Sequence, residues 1–200
     1  MTMPLRERKK LRTRKALTDT ALRLFTEKGY DATTLDELVD AVEVSKRTFF
    51  RNFSSKEDVA LAADTELWST WLREVDAHEF HGPVLVCLRR TLDVSLADMD
   101  DDWERRFMAA RALSVKVPSV QAHSLRYCNE TTEAAVERVG ARVGLVGDVR
   151  LRLAVEVMIA SWRCAALDWT ATGGAGGREG LGRLLDETFA AIPDSIALSV

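Results

Sequence analysis

The sequence contains few of the residues that interrupt regular structure or cross-link a small fold. Only four prolines and eleven glycines occur in 200 residues, which favours long uninterrupted elements. The cysteines form neither a CxxC pair nor a zinc-ligand spacing, so we expect reduced, buried thiols and no disulfide framework. The three cysteines are Cys87, Cys128 and Cys164.

Long apolar runs are also absent. The most apolar stretch, residues 153–167, is interrupted by Glu156 and Arg163 and is too short and too charged to cross a bilayer. No apolar segment follows the basic N-terminus, so the sequence does not indicate a signal peptide. We therefore expect a cytoplasmic protein.

Residue patterns typical of catalysis are missing as well. His78 and His81 are three residues apart, whereas the zinc-binding pattern HExxH requires four. The glycine-rich segment 173–177 lacks the lysine and hydroxyl of a phosphate-binding loop and indicates a flexible connection instead. We expect no enzymatic activity, no metal site and no cofactor.

Helix-forming residues and helical spacing dominate what is present. Alanine, leucine, arginine and glutamate are abundant, and apolar residues recur three and four positions apart. No strand-like alternation is visible, so we predict an all-α protein with about nine helices. The expected helices cover about residues 7–28, 35–42, 46–52, 56–78, 84–99, 103–115, 119–139, 148–171 and 179–191.

The two parts of the chain carry opposite net charge. Residues 1–56 contain 13 lysines and arginines against 8 acidic residues, whereas residues 57–200 contain 15 against 23. A basic segment joined to an acidic body indicates a polyanionic partner at one end only. We therefore predict two domains: a basic one over residues 1–56, which the motif described next indicates to be DNA-binding, and a larger helical one over residues 57–200.

A helix, a short turn and a second short helix follow one another between Thr33 and Phe53, which is a helix-turn-helix arrangement. Thr34 with Glu37 forms a predicted capping box. The second helix needs donors on its outward side to read bases in the major groove, and apolar side chains on its inward side. The outward candidates are Ser45, Lys46, Arg47, Thr48 and Asn52, and the inward ones are Val44, Phe49 and Phe53.

The first helix carries a dense basic run. Seven cations and one anion, Glu7, lie within residues 6–15, which suits contacts with phosphates and a minor-groove arm. The alternative for the run taken alone is an ordinary solvated helix face. The seven cations are Arg6, Arg8, Lys9, Lys10, Arg12, Arg14 and Lys15.

Over residues 10–60, the chain resembles the DNA-binding domain of the tetracycline-repressor (TetR) family. The resemblance lies in the stretch RTRKALTDTALRLFTEKGYDATTLDELVDAVEVSKRTFFRNFSSKEDV. Position 50 is often tyrosine in that family, with its hydroxyl on a phosphate, and Phe50 cannot donate that hydrogen bond. The resemblance implies DNA contacts by Thr33, Thr34, Ser45, Lys46, Arg47, Thr48, Phe50, Asn52 and Lys56, beside those of the basic residues Arg6, Arg8, Lys10 and Arg12.

The resemblance also implies a function. Such proteins are dimeric regulators, most often repressors, which bind a near-palindromic operator in double-stranded DNA and are released by a small-molecule inducer. The chain is also similar to a subgroup that includes the mycofactocin-system regulator, in the segment KRTFFRNFSSKEDVALAADTEL. This similarity implies a hydrophobic or acyl-CoA-like inducer. A helical protein-interaction scaffold and a TetR-like activator without an inducer are the alternatives.

The C-terminal domain supplies candidate inducer-binding residues. Arg111 can meet an anionic ligand or pair with Glu130 or Glu133, and aromatic residues at helical spacing can equally be ordinary core. An apolar site with few polar groups is typical for small molecules. The ligand candidates are Trp68, Trp71, Leu72, Phe107, Met108, Arg111, Tyr127 and Trp162.

The last two long helices are the predicted dimer interface, because members of the family dimerise there. With their symmetry mates they can form a four-helix bundle. The interface candidates are Val157, Ser161, Cys164, Leu181, Leu185 and Phe189.

Overall fold

The computed structural model describes residues 4–199, and within this range the protein consists of helices and connecting turns, with no strand. The helices are α1 (Leu5–Glu27), α2 (Leu35–Ala41), α3 (Lys46–Asn52), α4 (Lys56–Ala60), α5 (Ala62–Ala77), α6 (Val84–Ala97), α7 (Trp103–Lys116), α8 (Pro118–Val143), α9 (Val149–Ala171), α10 (Gly177–Ala190) and α11 (Ile192–Ile196).

The ends of the first helices follow from local sequence signals. Gly29 follows the C-cap of α1 in a left-handed conformation, with φ of 92°, which a residue without Cβ adopts without strain. The Thr34–Glu37 capping box is complete at the start of α2. The hydroxyls of Ser45 and Ser55 accept backbone N–H groups at the starts of α3 and α4. These predictions are confirmed.

The expected helix over 56–78 is divided in two at Leu61. All six residues from Val59 to Asp64 are buried, whereas a straight helix packed on one side leaves part of each turn exposed. The break therefore lies within a fully buried stretch, and neither a proline nor a glycine marks it in the sequence. The short helix α11 was not expected either.

The helices form two compact units. Of the described residues, the first contains 4–64 together with Arg105–Leu125, and the second contains Thr65–Glu104 and 126–199. The predicted boundary after residue 56 falls inside the first unit, because later residues complete its core. That core contains Leu17, Ala21, Leu24, Phe25, Tyr30, Leu38, Val39, Phe49, Phe53, Val59, Ala60, Leu61, Ala62, Ala110 and Val120.

In the second unit, α9 packs against α6 and α10. Trp103 stacks on Trp169 with ring centroids 6.5 Å apart, and both side chains are fully buried. Among residues 4–199, no helix is long and apolar enough to cross a membrane. The three cysteines form no disulfide, but only Cys87 is buried; Cys128 is half-buried and Cys164 is exposed, which corrects the expectation of three buried thiols.

The glycine-rich connection between α9 and α10 forms a defined turn. Gly176 caps α10 in a left-handed conformation with φ of 75°. The backbone N–H of Arg178 donates to Glu104 Oε1 at 3.0 Å, and its guanidinium donates to the Met99 carbonyl oxygen at 2.6 Å. These contacts attach the start of α10 to the segment between α6 and α7 and to the first turn of α7.

Two glycines in α10 provide a matched test of this packing. A Cβ on Gly180 would lie 2.1 Å from the Ala175 carbonyl oxygen, whereas a Cβ on Gly182 would meet nothing within 4 Å. We expect Gly180→Ala to destabilise the protein by about 1–3 kcal/mol, because backbone must move to relieve the overlap. Gly182→Ala should stabilise it by about 0.5–1 kcal/mol through helix propensity. Urea unfolding curves of both variants check this, and equal effects would contradict it.

Candidate nucleic-acid interface

Helix α3 is anchored through two aromatic side chains. Phe49 and Phe53 are 0% and 2% exposed, and their ring centroids lie 5.8 Å apart in the core of the first unit. Their predicted inward placement is confirmed. Because residues four apart share one side of a helix, burying this pair turns the opposite side of α3 to solvent.

A tight turn sets the position of α3 relative to α2. The Val44 N–H donates to the Val39 carbonyl oxygen at 3.0 Å, and Glu43 adopts a left-handed conformation with φ of 57°. The half-buried Val44 packs on the core. On the outside, Lys46 Nζ pairs with Asp36 of α2 at 2.7 Å. The turn and the ion pair together link the two helices at a fixed angle.

The outward side of α3 presents two uncommitted guanidinium groups. Arg47 and Arg51 are exposed, and neither makes a hydrogen bond or ion pair within residues 4–199. Phe50 lies between them with 57% of its surface exposed. Arg51 was missed by the sequence analysis, although its position one turn after Arg47 was a usable signal. Arginine at such positions can donate two hydrogen bonds to guanine O6 and N7.

Three predicted DNA contacts are used inside the protein instead. Thr33 is buried, and its hydroxyl donates to the Gly29 carbonyl oxygen at 2.8 Å. The Asn52 amide donates to the Thr48 carbonyl oxygen at 2.7 Å, and its side-chain oxygen is buried. The geometry therefore argues against the predicted base or phosphate contacts of Thr33 and Asn52.

Lys56 is the third of these. Its ammonium donates to the carbonyl oxygens of Tyr30 and Thr33 at 2.7 and 3.0 Å and lies 4.2 Å from the Tyr30 ring centroid. The lysine thereby connects the start of α4 to the turn after α1. Two of the three N–H donors of its ammonium are therefore used inside the protein, and its contact with a phosphate stays a prediction.

The predicted hydroxyl contacts lie at exposed or half-buried helix starts. Thr34, Ser45 and Thr48 belong to the caps of α2 and α3, with Ser45 Oγ 3.0 Å from Thr48 Oγ1. The hydrogen bond from Lys28 and the backbone N–H of Thr34 lower the pKa of Glu37 to about 2. Glu37 is therefore ionised at neutral pH, and the cap of α2 is intact there.

The basic run lies along the exposed N-terminal half of α1. Arg6, Arg8, Lys10 and Arg12 are exposed and have no ion pair among the residues that the structure describes. Cations that lack an internal partner are available to phosphates. Helix α3 is anchored, presents free donors, and is held by a tight turn to the preceding helix, with this basic run flanking it. Together these features define a helix-turn-helix DNA-binding unit.

Comparison with known proteins assigns the family. Residues 17–63 match the bacterial regulatory proteins of the tetR family, and residues 82–197 match the MftR C-terminal domain. The HTH-type transcriptional regulator TcmR from Streptomyces glaucescens is 34% identical over 175 residues, which cover 82% of this chain and 76% of TcmR. The chain belongs to the TetR family, and the second match extends the similarity to the MftR-like subgroup beyond the DNA-binding unit.

Two further proteins agree with this assignment. IcaR from Staphylococcus aureus, a negative transcriptional regulator of the biofilm operon icaADBC, is 44% identical over 41 residues, 20% of this chain and 22% of IcaR. GusR from Salmonella enterica shares the fold, with a TM-score of 0.50 and 20% identity over 95% of this chain and 97% of GusR. The curated relatives are transcriptional regulators, not enzymes, and this chain is a DNA-binding transcriptional regulator.

Among the ligand candidates, the structure brings together three tryptophans in the second unit. Trp68 packs edge-on against Trp71 and Trp162, with centroids 5.4 and 5.6 Å apart, and all three are buried. The Trp71 indole N–H donates to Thr91 Oγ1 at 3.0 Å. This cluster is part of the core as the structure stands. Leu72 and Tyr127, also in the second unit, are half-buried.

The remaining ligand candidates, Phe107, Met108 and Arg111, belong to the first unit. Arg111 Nη1 lies 3.3 Å from Asp64 Oδ1, so its partner is neither Glu130 nor Glu133. Burial raises the pKa of Asp64 although this guanidinium opposes the shift. Arg111 thus compensates an internal carboxylate, and its predicted role towards an anionic ligand has no geometric support.

The predicted dimer residues fall into two groups. Leu181 and Leu185 are 0% exposed, and Ser161 is buried with its hydroxyl on the Val157 carbonyl oxygen, so these three face the interior of the protomer. They are corrected to core residues, because α10 uses its leucine face against α9. The outward residues are Cys164, the half-buried Val157 and Phe189, and the exposed Val149, Leu153 and Leu167.

The free guanidinium of Arg47 generates a specific expectation. Arg47→Ala should weaken binding to the preferred DNA sequence by about 1–3 kcal/mol and relax the preference at one base pair of each half-site. Arg90→Ala is the control, since Arg90 is exposed on α6 and unpaired within residues 4–199. Binding of both variants to a set of single-base-pair substitutions measures the effect. Equal weakening on every sequence would show that Arg47 contacts phosphate, not a base.

Proposed function

We propose that the protein represses transcription by binding a near-palindromic operator as a homodimer and that a small molecule releases it. The observation that carries this proposal is the pair of uncommitted guanidiniums, Arg47 and Arg51, on a helix anchored by Phe49 and Phe53. Their exposure beside a basic helix suits major-groove binding with flanking phosphate contacts. The relatives TcmR and IcaR are regulators of transcription, which supports the same function.

Dimer formation through α9 is supported by an apolar outward stripe. Val149, Leu153 and Leu167 are 65%, 57% and 50% exposed, and Val157 and Cys164 lie on the same side of the helix. A contiguous exposed apolar patch indicates an interface, whereas single exposed apolar residues do not. A two-fold dimer places two copies of α3 on successive major grooves, about 34 Å apart.

Release by a ligand is the finer part of the proposal. The match to the MftR C-terminal domain supports a hydrophobic or acyl-CoA-like inducer. Such a ligand acts by binding one of two states of the dimer more tightly. A long-chain acyl-CoA should then dissociate the operator complex at concentrations at which free coenzyme A leaves it intact.

Selection of bound fragments from random double-stranded DNA tests the function directly. The purified protein at moderate salt should recover a sequence with two related half-sites about one helical turn apart. Fragments without a shared sequence, retained only at low salt, would contradict operator recognition. That result would favour the helical scaffold, which explains the helices but needs no base-specific contact.

The stripe on α9 generates the prediction for assembly. Leu153→Glu and Leu167→Glu should each convert the dimer to monomer and weaken operator binding steeply, because a charge would be buried without a partner. Val115→Glu is the control, since Val115 is 82% exposed on α7. Light scattering coupled to size exclusion measures the mass. Dimers that persist in both α9 variants would place the interface elsewhere.

A further inference from the structure

One cation of the basic run on α1 differs from its neighbours. Arg14 is half-buried, and its guanidinium lies against the C-terminal end of α3 instead of projecting into solvent. Its Nη1 donates to the main-chain carbonyl oxygen of Asn52, the last residue of α3. Its Cζ lies 4.2 Å from the centroid of the Phe53 ring. Arg14 therefore contacts both the end of the helix and the aromatic residue that anchors it.

The two contacts stabilise the same element in different ways. The last carbonyl groups of a helix have no partner within the helix and carry partial negative charge, so a guanidinium there is favourable. A cation over an aromatic face is attracted by the electrons of the ring. Phe53 also packs on Phe49, so the guanidinium lies at one end of the aromatic pair that holds α3 in the core.

We propose that Arg14 is a positioning residue for operator recognition: it fixes the end of α3 from which Arg51 projects, and it does not serve as a phosphate ligand. This inference rests on the proposed operator binding. Without Arg14, the C-terminal end of α3 is free to shift, so Arg51 and Arg47 no longer meet their bases at the required distance. The contacts of the exposed cations with phosphates would be unaffected.

The neighbouring Arg12 supplies the matched comparison. Arg12 lies two residues earlier on the same helix, and it is exposed and unpaired among the described residues. Its removal should weaken binding to all sequences and lower the dependence of affinity on salt by about one unit of slope for each phosphate that is no longer neutralised. Removal of a positioning residue should instead lower the ratio of operator to nonspecific affinity and leave the salt slope unchanged.

The test measures binding of the wild type, R14A, R14K and R12A to the selected operator and to a scrambled duplex between about 50 and 200 mM salt. We expect R14A to bind the operator at least about tenfold more weakly, with unchanged nonspecific affinity and salt slope. R14K should also lose operator preference, because an ammonium lacks the planar fork that stacks and donates together. R12A should lose affinity on both duplexes with a lower slope.

Several outcomes overturn the inference. An R14A protein that keeps the wild-type ratio, or that loses affinity equally on both duplexes with a reduced slope, shows that Arg14 is not a positioning residue. Full rescue of the operator preference by R14K would show that the positive charge alone is needed and would contradict the role of the guanidinium contacts. If circular dichroism shows R14A to be unfolded, the operator preference of R14K alone tests the inference. A wild-type protein that does not discriminate the two duplexes contradicts the proposed operator binding itself.

Discussion

The burial of Phe49 and Phe53 is the interaction on which the DNA-binding unit depends. These two rings hold a helix of only seven residues, which is too short to be stable alone, against a core built from α1, α2 and α4. Their burial also decides which side of α3 faces outward. Under the proposed function, recognition and folding rest on the same contact: the apolar side fixes the helix, and the opposite side remains exposed.

Polar contacts around this core then decide which side chains are available. Thr33, Asn52 and Lys56 satisfy carbonyl groups or lie buried, so they give the unit its rigidity. Arg47 and Arg51 have no such partner within residues 4–199 and keep their donors for another molecule. A short helix that is anchored by its buried side chains, and whose exposed donors have no internal partner, loses little conformational entropy when it binds another molecule.

The C-terminal helices show the same division of faces. One side of α9 packs on α6 and α10 and contains buried residues such as Val155 and Trp169, whereas the stripe with Leu153 and Leu167 remains exposed. In α10 the leucine side is fully used within the protomer. A dimer built on the α9 stripe would give the regulator its two-fold symmetry without disturbing the core.

Local signals allowed much of this to be predicted from sequence. Caps at Thr34 and Ser45 and the inward pair on α3 depend on spacing within a few residues, and all were correct. The break at Leu61 could not be predicted, because neither a proline nor a glycine marks it and the burial around it is known only from the folded structure. The direction of Lys56 depends on carbonyl groups 23 and 26 residues earlier in the chain, which spacing does not reveal.

The predicted interface residues fell into a buried group and an outward group for a related reason. Leu181 and Leu185 have the spacing of an interface and of a core alike, and only the neighbouring helix decides between them. The ligand candidates show the same ambiguity: the tryptophans are buried together, and Arg111 is compensated by Asp64. Family similarity therefore predicted the architecture, whereas the roles of single side chains required three-dimensional contacts.

The proposed function requires that the outward side of α3 enter the major groove. Methylation protection tests it most directly, because dimethyl sulfate modifies guanine N7 in the major groove and adenine N3 in the minor groove. Bound protein should protect guanine N7 in two half-sites about one helical turn apart, and Arg47→Ala should remove part of that protection. Unprotected guanines in a bound operator, with protection restricted to adenine N3, would contradict it.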